Sequence, residues 1–452
     1  MNTILKKVYL SSPFLIKKIF ANVEGIRRNY YRKKGDYKQN FNAIDTNTIL
    51  TKYDQEQQVK DINSLLTHVS HKIPYYKNIN TKEHINSLDE FELVPLISKN
   101  IMKKNIKEFI NEEKIAEFWK GSTSGSTGTP FFYYRDKKSL QFHYALYDKI
   151  CEYLSKDASA RKARISGVSI LSTKHKRPPF WYFINTFNQL QCSTYHINRN
   201  TYKYYLKAFQ DYNVKWGSGY ASAWLHLAEN ILDHEYEFEV RMKAIITDSE
   251  GLSNKQKSSI ETAFGCSVYP TYGLSEIGTV AVQCENNHYH ILSQGCYVEI
   301  VNEEGIRVKK GQEGEIVVTD LHSYNAPFIR YRTGDTGILG TNNCGCGWNT
   351  PYIKELCGRV EDYILTKDGM KVKRLGHLAK PAKGIIGMQL IQEKPGYLSI
   401  KVLPTNDFEA DSMDKVLELA CEYLGDTKVT WELVDELEKT KSGKIRYIIR
   451  RF

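Results

Sequence analysis

The sequence predicts two domains of unlike class, a large N-terminal α/β domain and a small C-terminal α+β domain. Three observations carry this. The chain has 452 residues, more than one hydrophobic core ordinarily organises. From residue 55 to about 350, helical stretches alternate with short β-rich runs, the pattern of an α/β layer with sites at strand ends. Beyond residue 361 the pattern changes to a hairpin, a helix and a strand. At 41% hydrophobic and 25% charged residues, both parts can bury a core.

The N-terminal residues 1–40 read as a basic, amphipathic extension. Residues 1–34 hold nine Lys/Arg and one acid, so this segment carries +8 of the net +11. The rest of the chain is nearly neutral, which argues against a long nucleic-acid channel. A helix is expected over 14–28, with Ser12 as N-cap and Pro13 in the first turn. Leu15, Ile16, Ile19, Phe20, Val23 and Ile26 fall at helical spacing between basic residues. That stripe either packs on the body of the protein or lies on an anionic membrane surface.

No run approaches the roughly 20 apolar residues of a spanning helix. A secretory signal is not expected, because a continuous apolar stretch and a small-residue cleavage site are missing. Nine scattered cysteines suit free or metal-bound thiols in a reducing cytosol. A cytoplasmic protein is therefore expected, peripheral at the inner membrane face if the extension binds lipid, and a homodimer is admitted.

In the large domain, residues 41–358, strands are expected at Val240 to Thr247, Cys266 to Thr271 and Glu315 to Asp320. In the small domain, residues 362–452, a hairpin turn is expected at Lys367-Asp368-Gly369. Asp411 or Ser412 is placed to cap a helix carrying Met413, Val416, Leu417, Ala420 and Leu424 and ended by Gly425. A strand follows in VTWELV.

Five motifs carry chemistry. The first is Gly121-Ser122-Thr123-Ser124-Gly125-Ser126-Thr127-Gly128-Thr129-Pro130. Its glycines let backbone N–H groups converge on an anion, with hydroxyls around them, which suits a triphosphate. It is not a Walker A loop, because no Gly-Lys-Ser/Thr follows. The second, Tyr272-Gly273-Leu274-Ser275-Glu276, offers a ring for stacking and a carboxylate for Mg²⁺. The third, Arg330-Tyr331-Arg332-Thr333-Gly334-Asp335, places an acid after a turn, where it can accept ribose hydroxyls. The fourth is Gly358-Arg359-Val360-Glu361-Asp362. The fifth, Thr440-Lys441-Ser442-Gly443-Lys444, puts a lysine past a Ser-Gly turn, able to reach across a cleft to a phosphate.

In order and spacing these motifs resemble the adenylate-forming superfamily of acyl-CoA synthetases, luciferases and peptide-synthetase adenylation domains, over residues 60 to 450. Ile73-Pro74-Tyr75-Tyr76, Pro95-Leu96-Ile97-Ser98-Lys99 and the short C-terminal domain resemble the phenylacetate-CoA ligase branch and its CapK-like relatives, linked to capsular polysaccharide biosynthesis. The resemblance implies roles. Ser122, Thr123, Ser124, Gly125, Ser126, Thr127 and Gly128 would cradle the ATP phosphates. Ser249, Glu250 and Gly251 would line the adenine and Tyr272 would stack on it. Gly273 would border the carboxylate, Ser275 contact the α-phosphate and Glu276 bind Mg²⁺. Asp335 would grip the ribose with help from Arg359. Residues 359–361 would be the hinge, with Glu361 where Asp is commoner. Lys444 would stabilise charge as the acid attacks. Two departures are mild: Phe131 stands where many relatives have lysine, and Ser275 replaces a frequent threonine.

A separate set concerns zinc. Cys344-Gly345-Cys346-Gly347 presents two thiols from one turn, and Cys284 and His290 flank another. Together they make a four-ligand structural set, and the phenylacetate-CoA ligase branch has a similar Cys/His pair upstream of a Cys-x-Cys. His288 is a rival ligand to His290, and Cys357 reads as a core thiol.

The implied activity is activation of a carboxylic acid by Mg-ATP to acyl-AMP and pyrophosphate. Acyl transfer to coenzyme A follows, by family default. An amine on a sugar or amino acid, or a carrier-protein thiol, is the alternative acceptor. A non-catalytic scaffold is disfavoured by the intact Lys444, Glu276 and Asp335. The acid pocket is expected from Phe180 to Tyr220, whose Trp, Tyr and Phe content favours an aromatic or bulky acid.

Overall fold

The computed structural model describes residues 9, 11–51, 54–79, 82–123, 131–157, 159–168, 170–172, 175–234, 241–360, 362–372, 375–379, 381–440 and 443–452. The helices among them are α1 (Phe14–Lys33), α2 (Tyr37–Ala43), α3 (Gln55–Lys72), α4 (Pro74–Asn78), α5 (Lys99–Lys104), α6 (Lys137–Ser155), α7 (Tyr202–Asp211), α8 (Ala221–Asp233), α9 (Asn254–Phe264) and α10 (Ser412–Leu424). The strands of the large domain are β1 (Phe118–Thr123), β2 (Phe131–Asp136), β3 (Lys162–Ser166), β4 (Trp181–Ile184), β5 (Gln189–Ser193), β6 (Trp216–Tyr220), β7 (Ala244–Asp248), β8 (Ser267–Leu274), β9 (Gly278–Gln283), β10 (Tyr289–Ile291), β11 (Cys296–Val301), β12 (Glu313–Asp320), β13 (Tyr331–Leu339) and β14 (Tyr352–Arg359). The C-terminal strands are β15 (Ile364–Leu365), β16 (Lys371–Val372), β17 (Lys383–Lys394), β18 (Tyr397–Glu409), β19 (Lys428–Leu433) and β20 (Ile448–Arg450).

Twelve strands form one sheet in the order β11-β12-β13-β14-β10-β9-β8-β7-β6-β3-β5-β4. Its middle, β5-β3-β6-β7-β8, is parallel. Helices α7, α8 and α9 make the crossovers that parallel pairing requires. The last of these is well delimited: Ser253 and Gln256 form a reciprocal capping box at its start, and Gly265 adopts a left-handed conformation at its end. The carboxyl ends of β6, β7 and β8 therefore lie side by side, at Tyr220, Asp248 and Leu274, the edge where α/β sheets bind ligands. The small domain has its own four-stranded sheet, β19-β18-β17-β20, with α10 packed on it in a separate core.

Several local expectations change. Strand β7 covers Ala244–Asp248 rather than starting at Val240, which lies outside the described residues. Strand β8 continues through Tyr272 and Gly273 because both pair with β9, so the Tyr-Gly pair belongs to the strand and not to a turn after it. Asp411 occupies the N-cap of α10 without a side-chain cap bond, while the Ser412 hydroxyl donates to the Glu409 carbonyl at 2.6 Å.

Helix α1 differs most. It runs to Lys33, and Pro13 rather than Ser12 occupies its N-cap, without a side-chain cap bond. Its apolar stripe points away from the body: Leu15, Ile16, Ile19, Phe20, Val23 and Ile26 are 42–67% exposed. The opposite face is buried, at Lys17 and Gly25. Gly25 lets the helix approach closely, since a Cβ there would lie 2.7 Å from Ile184 Cγ2. Asn22 Nδ2 donates to the Phe183 carbonyl and its Oδ1 accepts from Asn185 N–H, both at 3.1 Å. The Arg32 guanidinium lies 4.4 Å from the Tyr144 ring centroid, and Lys33 pairs with Asp148 at 2.6 Å.

Candidate active site

The first motif spans the end of β1, an antiparallel partner of β2. Gly121 faces Tyr133 across that ladder, and the ring leaves no room for a Cβ. Ser122 and Thr123 end β1, and the Thr123 hydroxyl is buried without a partner among the described residues. Ser124, Gly125, Ser126, Thr127 and Gly128 lie outside the described residues. The hairpin is tied to the second motif, because Tyr133 OH donates to the Ser275 carbonyl at 3.0 Å.

In the second motif, Gly273 has no room for a side chain, since a Cβ would meet the Gly278 carbonyl at 2.5 Å. Glu276 is 2% exposed. Its Oε1 accepts from Tyr331 OH at 2.8 Å and lies 3.8 Å from Lys99 Nζ, while Oε2 has no protein partner among the described residues. Tyr272 is 9% exposed, and its hydroxyl donates to Asp335 at 3.0 Å. Arg359, the register partner of Asp335 between β13 and β14, reaches the other Asp335 oxygen at 3.2 Å. Burial pushes the Asp335 carboxyl upward, against the pull of Arg359. Tyr272, Asp335 and Arg359 thus form one cluster, as sheet pairing dictates. Glu361 lies outside the described residues.

Lys444 comes to the same place from the small domain. Thr440 and Lys444 close a tight loop, with Gly443 at φ +80°. Ile445 N–H donates to Glu250 at 3.0 Å, and the other Glu250 oxygen accepts from Ser222 N–H at 2.9 Å. Glu250 therefore fastens the Lys444 loop to the large domain. The neighbouring Ser249 has a left-handed φ of +72° and donates to Asp248 at 3.0 Å, while Gly251 is exposed. Burial pushes the Lys444 ammonium below its ordinary value, opposed by Asp248, Glu250 and Asp335.

A cavity of about 750 Å³ begins at Gly273, Ser275 and Lys444 and runs along one face of the sheet to Arg32 and Lys33. The expected aromatic wall is not what lines it. Phe180, Tyr202 and Tyr205 are buried in a core cluster, the two tyrosines on the inner face of α7, and alternation along β5 sends Leu190 and Cys192 to the same core while Gln189 faces the cavity. The segment contributes one ring, Phe187, among the polar Asn185, Thr186, Asn188 and Ser218. Sequence reasoning missed Lys99 as a neighbour of Glu276 and Arg164 as the partner of Asp248 at 2.9 Å. A signal for the second was present, since basic residues alternate at Lys162 and Arg164 within a strand.

The thiol set also converges. The donor atoms of Cys284, His290, Cys344 and Cys346 all lie within 4.8 Å of one another. His290 is buried, with Nδ1 3.1 Å from the Thr350 carbonyl and Nε2 3.4 Å from Cys346 Sγ. Such an outer hydrogen bond orients a metal-binding imidazole. His288 Nδ1 lies 3.2 Å from Cys344 Sγ. Cys357 is only half-buried on β14, contrary to a core thiol, because it sits near the strand's open end.

This fold, with these motifs gathered at the sheet edge, defines an enzyme of the adenylate-forming ligase class. Residues 364–451 match the CapK C-terminal domain. The chain is 23% identical over 462 residues to Protein CapK of Staphylococcus aureus, covering 98% of this chain and 99% of that protein. It is 26% identical over 134 residues to the phenylacetate-coenzyme A ligase of Thermus thermophilus, covering 28% of this chain and 30% of that one. A solved structure of 2-hydroxyisobutyryl-CoA ligase, in the postadenylation state with 2-HIB-AMP, overlays with a TM-score of 0.67 at 15% identity, over 90% of this chain and 93% of the other. In sequence and fold the chain is thus similar to the adenylate-forming superfamily, and within it to the phenylacetate-CoA ligases and CapK.

Proposed function

We propose that the protein joins a carboxylic acid to AMP, releasing pyrophosphate, and then transfers the acyl group to the thiol of coenzyme A. The observation that carries this reading is the meeting of Lys444 with Gly273, Ser275 and the mouth of one cavity, beside the Tyr272–Asp335–Arg359 cluster. An acid in the cavity presents its carboxylate to the α-phosphorus of ATP. The new bond joins carboxylate oxygen to phosphorus, and the bond to the β-phosphate oxygen breaks. Lys444 offsets the negative charge that grows there, and its partial burial strengthens that contact. Asp335 accepts the ribose hydroxyls. Glu276 has one oxygen without a protein partner among the described residues, so it suits Mg²⁺, which would neutralise the phosphates. Coenzyme A enters after the Lys444 loop leaves Glu250, by rotation about residues 359–361.

Acid-dependent exchange of pyrophosphate into ATP tests the first step. Lys444→Ala should lower it by about 10²-fold or more and alter consumption of preformed acyl-AMP far less. An equal fall in both overturns the role of Lys444. Adding coenzyme A, an amine or a carrier-protein thiol then identifies the acceptor. An amine product would favour the amide-forming alternative, the one suited to surface polysaccharide synthesis.

We also propose that Cys284, His290, Cys344 and Cys346 hold a structural Zn²⁺ that clamps the β9–β10 turn to the loop between β13 and β14. The support is the thiol and imidazole donor set and the Thr350 bond behind His290. The purified protein should contain close to one zinc per chain, on the single-site assumption. Cys344→Ser with Cys346→Ser should remove it and lower the melting temperature. Metal-free protein with unchanged melting overturns this.

The outward stripe of α1 favours a further reading, that the enzyme sits on an anionic membrane face. No helix among the described residues is long and apolar enough to cross a membrane. The stripe is flanked by exposed Lys18, Arg27 and Lys34, and each basic residue near an anionic leaflet is worth about 1 kcal/mol. Full-length protein should float with phosphatidylglycerol vesicles at low salt, and Ile19→Asp with Phe20→Asp should not. If a second copy covers the stripe instead, the parent is a dimer, the variant a monomer, and neither floats.

A further inference from the structure

The cavity sets an excess of positive charge among its rings. Six basic side chains line it, Arg32, Lys33, Arg135, Lys162, Arg164 and Lys444, against two carboxylates, Asp148 and Asp248. Four of the six have evident employment. Arg164 pairs with Asp248 at 2.9 Å and Lys33 with Asp148 at 2.6 Å. Arg135 donates to the Ile277 carbonyl, at the phosphate end, and Lys444 belongs to the chemistry proposed above.

Arg32 and Lys162 remain, at the opposite end. Neither has a carboxylate within 4 Å among the described residues. Their cationic groups rest over ring faces, Arg32 on Tyr144 at 4.4 Å and Lys162 on Trp216 at 4.8 Å. Asp148 is near both, but it already accepts from Lys33 and from Tyr37 OH at 2.7 Å. Burial pushes both cations below their ordinary values, so a bound anion would relieve both. The rest of the lining mixes rings, Phe41, Trp119, Tyr144 and Phe187, with the polar groups of Tyr147, Asn185, Gln189 and Ser218.

The separation follows from strand geometry. Arg164 is held at Asp248, the carboxyl end of β7. Lys162 lies two residues back along β3 on the same face, about 7 Å further from the reacting carboxylate at roughly 3.3 Å per residue.

We propose that the cavity selects a carboxylic acid that carries a second anionic group, held by Arg32 and Lys162 at the end farthest from Lys444. This rests on the adenylate-forming reading and adds the class of acid. A diacid or a phosphorylated hydroxy acid meets the description, and phenylacetate-like acids do not. Because Arg32 belongs to α1, the N-terminal extension becomes part of the acid site.

Calorimetry with two non-hydrolysable acyl-AMP mimics tests this, octanoyl and 7-carboxyheptanoyl sulfamoyl-adenosine, which differ in a terminal carboxylate. The carboxylated mimic should bind about tenfold tighter or more, the scale of one charge-assisted contact. In Lys162→Met with Arg32→Gln the two mimics should bind alike, and in Lys162→Met alone the advantage should shrink. Equal or tighter binding of the octanoyl mimic to the parent protein overturns this inference and leaves the ligase reading standing. An advantage that survives in the double variant removes Arg32 and Lys162 from the site. Failure of both mimics to bind the parent protein overturns the ligase reading itself.

Discussion

Helices α1 and α10 have the same kind of sequence and opposite orientations. Each carries an apolar stripe at helical spacing with charged residues between. Helix α10 turns its stripe inward, and Met413, Val416, Ala420 and Leu424 are fully buried against the C-terminal sheet. Helix α1 turns its stripe outward and packs through Lys17, Asn22, Gly25, Arg32 and Lys33. The difference lies in what each helix meets. The sheet under α10 offers Leu390, Leu398 and Ile400. The surface under α1 offers a backbone carbonyl and N–H at Phe183 and Asn185, the Asp148 carboxylate and the faces of Tyr144 and Phe187. A stripe shows that a helix has two faces; its surroundings decide which one is covered.

The largest effect separating the two helices should come from one substitution made in each. Val416→Asp places a charge in a closed apolar core and should cost on the order of 3–4 kcal/mol. Ile19→Asp should stay within about 0.5 kcal/mol, as exposed substitutions do. Denaturant unfolding of both variants measures this. Equal losses would mean that the α1 stripe is covered by the protein itself, and the contrast would collapse. The smaller effect concerns pH. Hydrogen bonds from Arg27, and secondarily the Arg28 contacts, hold the Glu24 carboxyl down at about 2 against some desolvation. A carboxyl depressed in the folded state contributes stability above its unfolded value near 4.5, and that stability is lost as pH falls through about 2. Glu24 is 38% exposed, so solvent screening keeps the effect small. Amide exchange should speed up in α1 over that range before it does in α10. Simultaneous loosening of both helices would show that Glu24 does not hold α1 separately.

Much of the arrangement around the proposed nucleotide site could be anticipated from the sequence because each of its parts is local. Gly121 to Thr123, Tyr272 to Glu276, Arg330 to Asp335 and Gly443-Lys444 are short runs whose residue types announce tight turns and charged contacts. The Cys/His set is local in the same way, two residues from each of two neighbouring turns. The role of Glu250 as a fastener was not legible, because it depends on where the small domain docks. The aromatic wall expected over Phe180 to Tyr220 was largely misplaced for a related reason: composition counts rings, but the packing of α7 on the sheet takes Tyr202 and Tyr205 into a core, while Phe187, Gln189 and Ser218 face the cavity.

By itself the sequence determined the fold class and the order of the motifs, since these follow from hydrophobic periodicity and from turn chemistry within a few residues, and the motifs in that order carried the resemblance to the adenylate-forming superfamily. Only the tertiary structure decided the character of the cavity and the outward face of α1. The cavity's cations come from α1, β2, β3 and the C-terminal loop, from Arg32 to Lys444, and no pattern along the chain joins them. Charge in a site acts through space over several ångströms, so its sum is set by which elements the fold brings to one face of the sheet.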